Sequence, residues 1–252
     1  AHPMGFYSPQ TLVADARRHG VTVLRPDVQL SGVQPVLEPL PGGDSVARPR
    51  RDLAVRLGLG GIRGVRDTVA ERIVVARADG PFVSLRDLAR RVDLTVGHLE
   101  ALATAGALDC FTGARRPALW AAAALAQEGP DTLPGVSVGV EAPTLPGMDD
   151  VETSVADVWA TGISPESYPT QFVRDGLDAA GVLTVAKATV HEAERRVAVA
   201  GVVTHRQRPG TARGVTFLSL EDETGLLNVV CSPGLWSRFR QVARTSAALV
   251  VR

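Results

Sequence analysis

Residues 59–73 read Leu59-Gly-Gly-Ile-Arg-Gly-Val-Arg-Asp-Thr-Val-Ala-Glu-Arg-Ile73. A glycine-rich turn sits between two apolar helical runs. The spacing, with Gly64 flanked by Ile62 and Val65 just ahead of a helix, is the shape of a helix-hairpin-helix motif. Gly64 lets the backbone approach a phosphate closely. Asp67 is placed to cap a helix over residues 68–78, and the unpaired N–H groups from Thr68 onward then face that phosphate. Arg63, Arg66 and Arg72 add positive charge. Contacts of this kind grip a nucleic-acid backbone without reading its sequence. Arg66 stands where such a turn usually has its second glycine, which either weakens the close approach or replaces it with a side-chain contact. The same residues also describe an ordinary glycine-bearing turn between helices.

Outward from this stretch, residues 53–120 read as a run of short helices. Gly80-Pro81 ends the first. Ser84 with Asp87 resembles a capping box for residues 85–92. Thr95 caps residues 96–105, with Gly106 following as a helix stop. The stretch Leu99-Glu-Ala-Leu-Ala-Thr-Ala-Gly-Ala-Leu-Asp109 repeats the apolar spacing and the glycine turn. It reads either as a second, degenerate copy of the motif, with Arg115 and Arg116 as its charges, or as a plain core element. Residues 115–127 are Ala-rich and helical. Such short helices depend on packing against one another. On the N-terminal side, Ser8 and Pro9 open a helix that Gly20 closes. Residues 21–24 form a short strand, and 31–51 read as a loop with a hairpin.

Past residue 127 the character changes. Residues 128–150 hold four prolines and four glycines and no aromatic residue, the signature of a linker. Residues 151–182 show a weak amphipathic pattern around Val155, Val158 and Trp159. From 194 the apolar period becomes two. Strands are expected at 196–205, 214–220 and 226–231, with a turn at 221–225, a helix from Ser232-Pro233 to Val242, and a strand at 247–251. The order β-β-β-α-β is that of an OB-fold barrel, and the fifth strand that would close it does not appear before Arg252. Arg206, Arg208 and Arg213 cluster between the first two strands, where OB-folds often take single strands, and Phe217 offers a stacking face. A solvated loop and a core phenylalanine are the plainer readings.

The net charge of zero conceals a pattern. Residues 1–120 carry 16 basic against 12 acidic side chains, 121–182 carry 1 against 10, and 183–252 carry 10 against 5. Two basic blocks flank an acidic connector, which points toward nucleic acid. Lys187 is the single lysine, so nearly all the positive charge is arginine, with planar donors suited to phosphate. No apolar run is long enough for a membrane span and the N-terminus has no leader pattern. Cys110 and Cys231 form no disulfide framework, so a reducing, cytoplasmic setting is expected. The five histidines are scattered without ligand spacing, Asp149-Asp150 lies in the linker, and there is no G-x-S-x-G or P-loop. No catalytic residue and no metal ligand is therefore assigned, and no cofactor is expected in this chain. The absence of an initiator Met is consistent with a fragment.

Several stretches in order carry a family resemblance: Pro3-Met-Gly-Phe-Tyr-Ser-Pro9, Arg25-Pro-Asp-Val28, Val55-Arg-Leu-Gly-Leu59, Gly61-Ile-Arg-Gly-Val65, Gly106-Ala-Leu-Asp109 and Leu220-Glu-Asp-Glu-Thr-Gly225. Together they resemble the C-terminal half of bacterial C-family DNA polymerases, the polymerase III alpha-subunit family. The runs Val203-Thr-His-Arg-Gln-Arg-Pro209 and Val229-Val-Cys-Ser-Pro-Gly-Leu-Trp236 look most like its error-prone, damage-associated branch. The resemblance implies a mixed α and β multi-domain chain. Residues 1–50 would end the fingers domain, and 51–127 would be a tandem helix-hairpin-helix region holding duplex DNA. Residues 128–182 would be an acidic linker with short helices, and 183–252 an OB-like domain on the template strand, lacking its last strand.

The family polymerises DNA through magnesium held by palm aspartates, which have no counterpart here, so this chain alone is not expected to polymerise. Ala142-Pro-Thr-Leu-Pro-Gly-Met148 lacks the Gln-x-x-Leu-Phe pattern of a clamp-binding motif. Recruitment through accessory polymerase proteins is expected instead of direct sliding-clamp binding. A protein-interaction scaffold, docking partners through the OB domain and the acidic connector, is the competing reading.

Overall fold

The computed structural model describes residues 7–40, 53–127, 139–192 and 195–252. The chain divides into two units: Gly20–Glu166, and Ser167–Arg252 together with the described residues up to His19. Helix α1 (Pro9–Arg18) opens as its sequence predicts, the Thr11 amide donating to Ser8 Oγ at 3.1 Å. Gly20 follows at φ +81°, a left-handed position natural to glycine.

In the Gly20–Glu166 unit, strands β1 (Thr22–Leu24), β2 (Val36–Pro39) and β3 (Leu53–Arg56) form a sheet in the order β1-β3-β2, with β1 parallel and β2 antiparallel to β3. Residues 53–56 were expected to begin the helical run and are a strand instead. Four residues ahead of Gly58 are too few for a helical period, and β1 and β2 supply hydrogen-bond partners on both sides. Across the sheet Arg56 grips Glu38, with Nε and Nη2 each 2.6 Å from a carboxylate oxygen.

The helices then follow in close succession: α2 (Asp67–Ala78), α3 (Leu85–Arg91), α4 (Val96–Thr104), α5 (Asp109–Thr112) and α6 (Arg115–Leu125). Ser84 and Thr95 cap α3 and α4 as expected. Their apolar faces close one core around Leu59, Ile73, Leu88, Leu99, Leu102 and Leu125, all sealed from solvent. The expected linker is not all linker. Asp149 and Glu152 form a capping box that opens α7 (Asp150–Thr161), and Ala160 of this helix joins the same core. The carboxylates that gave the stretch its acidic, linker-like composition start a helix at its N-terminus. Residues 128–138 of the expected linker lie outside the described residues.

In the other unit, α8 (Arg174–Ala179), β4 (Val182–Leu183) and α9 (Val185–Thr189) precede the predicted β series. That series is β5 (Ala198–Gln207), β6 (Thr216–Asp222), β7 (Gly225–Cys231), α10 (Pro233–Thr245) and β8 (Ala248–Val251). The strands run β4-β5-β6-β7, and β8 pairs antiparallel with β5. The OB-like order of three strands, a helix and a strand is thus present. β5 serves three partners, β4, β6 and β8, and its register to β6 shifts between Val203 and His205. At Gly201 a Cβ would lie 3.0 Å from backbone atoms of Glu221, so a side chain there would crowd the pairing of β5 with β6. Parallel β4 was not expected. Among the described residues no strand joins β7 to β8.

The expected turn at 221–225 is shorter than predicted, because β6 runs on to Asp222. Glu221 and Asp222 are fully buried. Glu221 accepts from the Thr11 hydroxyl at 2.8 Å and pairs with Arg18. Asp222 accepts from the Val185 amide and from Arg174. Burial and the neighbouring Glu221 carboxylate push the Tyr168 phenol well above its ordinary value. These carboxylates tie β6 to α1, α8 and α9.

Candidate nucleic-acid interface

The hairpin is assembled from residues on both sides of its turn. Leu59, in a short 3-10 turn over Leu59–Gly61, is buried with Ile62, Val65, Val69 and Ile73. With the apolar residues fixed inward, Arg63, Gly64, Arg66 and Thr68 are left exposed. Gly64 has φ +90°, which makes the sharp turn possible. The first helix of a full motif is absent, since the 3-10 turn and β3 take its place. Val65 serves as an anchor of the turn and not as a contact.

Helix α2 begins one residue earlier than its sequence suggests. Arg66 is the N-cap, Asp67 is already helical, and no side chain caps the end. The amides of Asp67 and Thr68 therefore open the helix without a side-chain partner. A carboxylate in the first turn suits the helix dipole but opposes a bound phosphate. Asp67 is turned back, however: its Oδ1 occupies the space that a Cβ on Gly60 would need. Gly60 thus gives that carboxylate room away from the exposed turn, a role its sequence did not announce.

Helix α7 braces the hairpin. The Arg63 amide donates to the Ala160 carbonyl at 2.7 Å, and the Arg63 guanidinium lies 5.4 Å from the Trp159 ring centroid. Trp159 is the member of the site that sequence reasoning passed over. Its signal was only the weak amphipathic pattern around Val158. Arg72 is exposed, 3.5 Å from Asp93.

The second glycine turn is a different object. Gly106 has φ +75° as a hairpin requires, yet it is buried. An added Cβ would meet Asp109 Oδ2 at 3.1 Å and Arg115 Nε at 3.2 Å. Arg115, 5% exposed, pairs with Asp157, 2% exposed, and donates to the Thr104 carbonyl at 2.8 Å. Arg116 is held by Glu152 and the Pro146 carbonyl. The expectation that Arg115 serves as a nucleic-acid contact is therefore corrected, because it is buried with its donors on protein acceptors, whereas Arg116 stays half-exposed. Burial raises the Asp157 and Asp109 carboxyls above their ordinary values while Arg115 opposes the rise. Burial also pushes the Cys110 thiol up to about 12, so it holds no thiolate at neutral pH.

In the other unit, Arg206 and Arg208 are exposed where β5 ends. Arg206 is fastened, its Nε donating to the Ala243 carbonyl at 2.8 Å and its Nη2 to Ser246. Arg213 sits at φ 47° in the loop beyond. Phe217 is half-buried and alternates with buried Thr216 and Leu218, so its ring lies on the opposite face of β6. Among the described residues no group of three or more histidine, cysteine, aspartate or glutamate side chains is placed to hold a metal ion. Nor is any described helix long and apolar enough to cross a membrane.

Comparison with known proteins adds a lineage to this geometry. A family model described as a helix-hairpin-helix motif matches residues 20–118. Over its whole length the chain is 57% identical to an error-prone DNA polymerase of Mycolicibacterium paratuberculosis. It is 54% identical to those of Mycobacterium tuberculosis and Nocardia farcinica. Each alignment takes in 100% of this chain and 22% of the relative.

Proposed function

We propose, from the premise that this chain is a whole-length homologue of part of the error-prone DNA polymerases, that its task is to hold DNA for damage-tolerant synthesis. The observation that carries the reading is the exposed hairpin: Gly64 at φ +90°, arginines at 63 and 66, and an uncapped α2 behind them. Unpartnered amide donors and positive charge lie together on this exposed turn, which suits a duplex backbone. The exposed Arg208 and Arg213 of the β unit, with half-buried Phe217 on β6, support template contact. The full protein would be a nucleotidyltransferase of the bacterial cytoplasm, reached by accessory partners.

The test is fluorescence anisotropy of the chain with labelled duplex DNA across a salt series. Replacing Arg63 and Arg66 together by alanine is expected to weaken binding and make the log–log salt slope shallower by roughly 0.9 for each phosphate left unneutralised. A folded double variant with an unchanged slope removes the hairpin from the DNA contacts and leaves Arg63 as a brace for Trp159. A folded wild-type chain that ignores DNA at low salt turns the assignment to the protein-interaction scaffold.

A further inference from the structure

The guanidinium of Arg63 rests on a ring and uses none of its hydrogen-bond donors in doing so. It lies 5.4 Å from the Trp159 centroid, within the range of a cation–π contact. Among the described residues it makes no ion pair and no side-chain hydrogen bond. Arg91 shows the contrasting case. Its guanidinium stands 4.6 Å from the Phe82 centroid, but its donors are taken by the Ala76 and Gly80 carbonyls and by Asp87. That stacked arginine ties elements together. Arg63 is exposed, and its donors are left to solvent. An aromatic ring engages the flat face of a guanidinium and leaves the in-plane N–H groups free, whereas a carboxylate would occupy them.

The ring is itself held firmly. Close to Trp159 on α7, Asp157 is 2% exposed and engages Arg115 and Arg25, and Ala160 is 1% exposed in the core. Trp159 is nevertheless 51% exposed. The Ala160 carbonyl accepts from the Arg63 amide at 2.7 Å, so α7 fixes the backbone of Arg63 as well as its side chain. Gly64 then makes the turn at φ +90°.

A free arginine side chain has large rotamer freedom and loses much of it on gripping a phosphate. Stacked Arg63 has lost part of that freedom before any ligand arrives, which lowers the cost of binding. We propose that Trp159 is a positioning residue of the hairpin: it holds the Arg63 guanidinium by its face, so that the in-plane donors meet a phosphate of the duplex backbone. Trp159 acts through Arg63 and does not itself touch the strand. The inference rests on the reading that the hairpin grips duplex DNA, and it gives α7 a part in that grip.

The experiment is a double-mutant cycle, read by anisotropy of the full 252-residue chain with a labelled duplex at low salt. W159L keeps an apolar side chain and removes the ring, and W159F keeps a smaller ring. W159L is expected to weaken binding about threefold, and W159F by less. In the R63A background W159L is expected to weaken binding no further, which a merely structural tryptophan would not do. Thermal midpoints identify the variants that fold, and W159F in the two backgrounds completes the same cycle if W159L does not. Equal losses with and without Arg63 overturn the proposal, because the ring would then act on the DNA or on the fold by itself. A folded W159L that binds like wild type while R63A binds more weakly also overturns it, and leaves the hairpin reading standing. A folded R63A/R66A that binds like wild type, or a wild-type chain that ignores the duplex, overturns the hairpin reading and this inference together.

Discussion

Arg115 and Arg116 are neighbours in the chain and opposites in the fold. Arg116 reaches acceptors at the surface, whereas Arg115 is enclosed with Asp157. Removing one member of a buried pair leaves the other charged and unsolvated. Asp157→Ala should therefore cost about 3–5 kcal/mol in urea unfolding, and Arg116→Ala should stay within about 0.5 kcal/mol. Equal small losses in both would place Arg115 at the surface after all. No local signal separates the two arginines, since the partner of Arg115 is 42 positions away. The glycines behave oppositely. Gly64 and Gly106 were legible because a positive φ is a local demand. Which of the two turns meets solvent was decided by Arg115 and α7, and so was not.

Among the elements, the helices announced themselves through their caps. Ser8, Ser84, Thr95 and Ser232 each accept from an amide three residues ahead, within the reach of local sequence. Strands β3 and β4 were missed because two to four residues carry no period, and their hydrogen bonds come from distant segments. The β2–β3 pairing should also be pH-sensitive. Hydrogen bonding to Arg56 holds the Glu38 carboxyl below its ordinary 4.5. A depressed carboxyl stabilises the fold above its unfolded value, and that contribution is lost as pH falls below about 4.5. The unfolding midpoint of wild type should therefore drop on acidification by more than that of Glu38→Gln. Identical pH profiles for the two proteins would show that the pair adds nothing.

At the scale of the whole chain, the charge blocks were read correctly as composition and incompletely as structure. The acidic connector works within its own unit: Glu152 engages Arg116, Asp157 engages Arg115 and Arg25, and Glu166 engages Arg25. The acids of the β unit are likewise taken up by Arg18 and Arg174. Among the described residues the hairpin arginines Arg63 and Arg66 engage no carboxylate, and no count along the sequence could separate them from arginines already paired.

The bond from Thr11 to Glu221 has a consequence in time. The two residues are 210 positions apart and belong to one unit, with Gly20–Glu166 between them. A ribosome adding roughly 5–20 residues per second needs about 10–40 s to deliver the acceptor after the donor. Throughout that interval α1 waits outside the tunnel without its native anchor while the intervening unit completes itself. Stalled nascent chains ending before Glu221 should be cut by protease within α1, and chains extending past Val251 should resist. Equal resistance at both lengths would mean that α1 finds shelter early. The order of synthesis thus makes the anchoring of α1 later than the folding of the unit between it and β6.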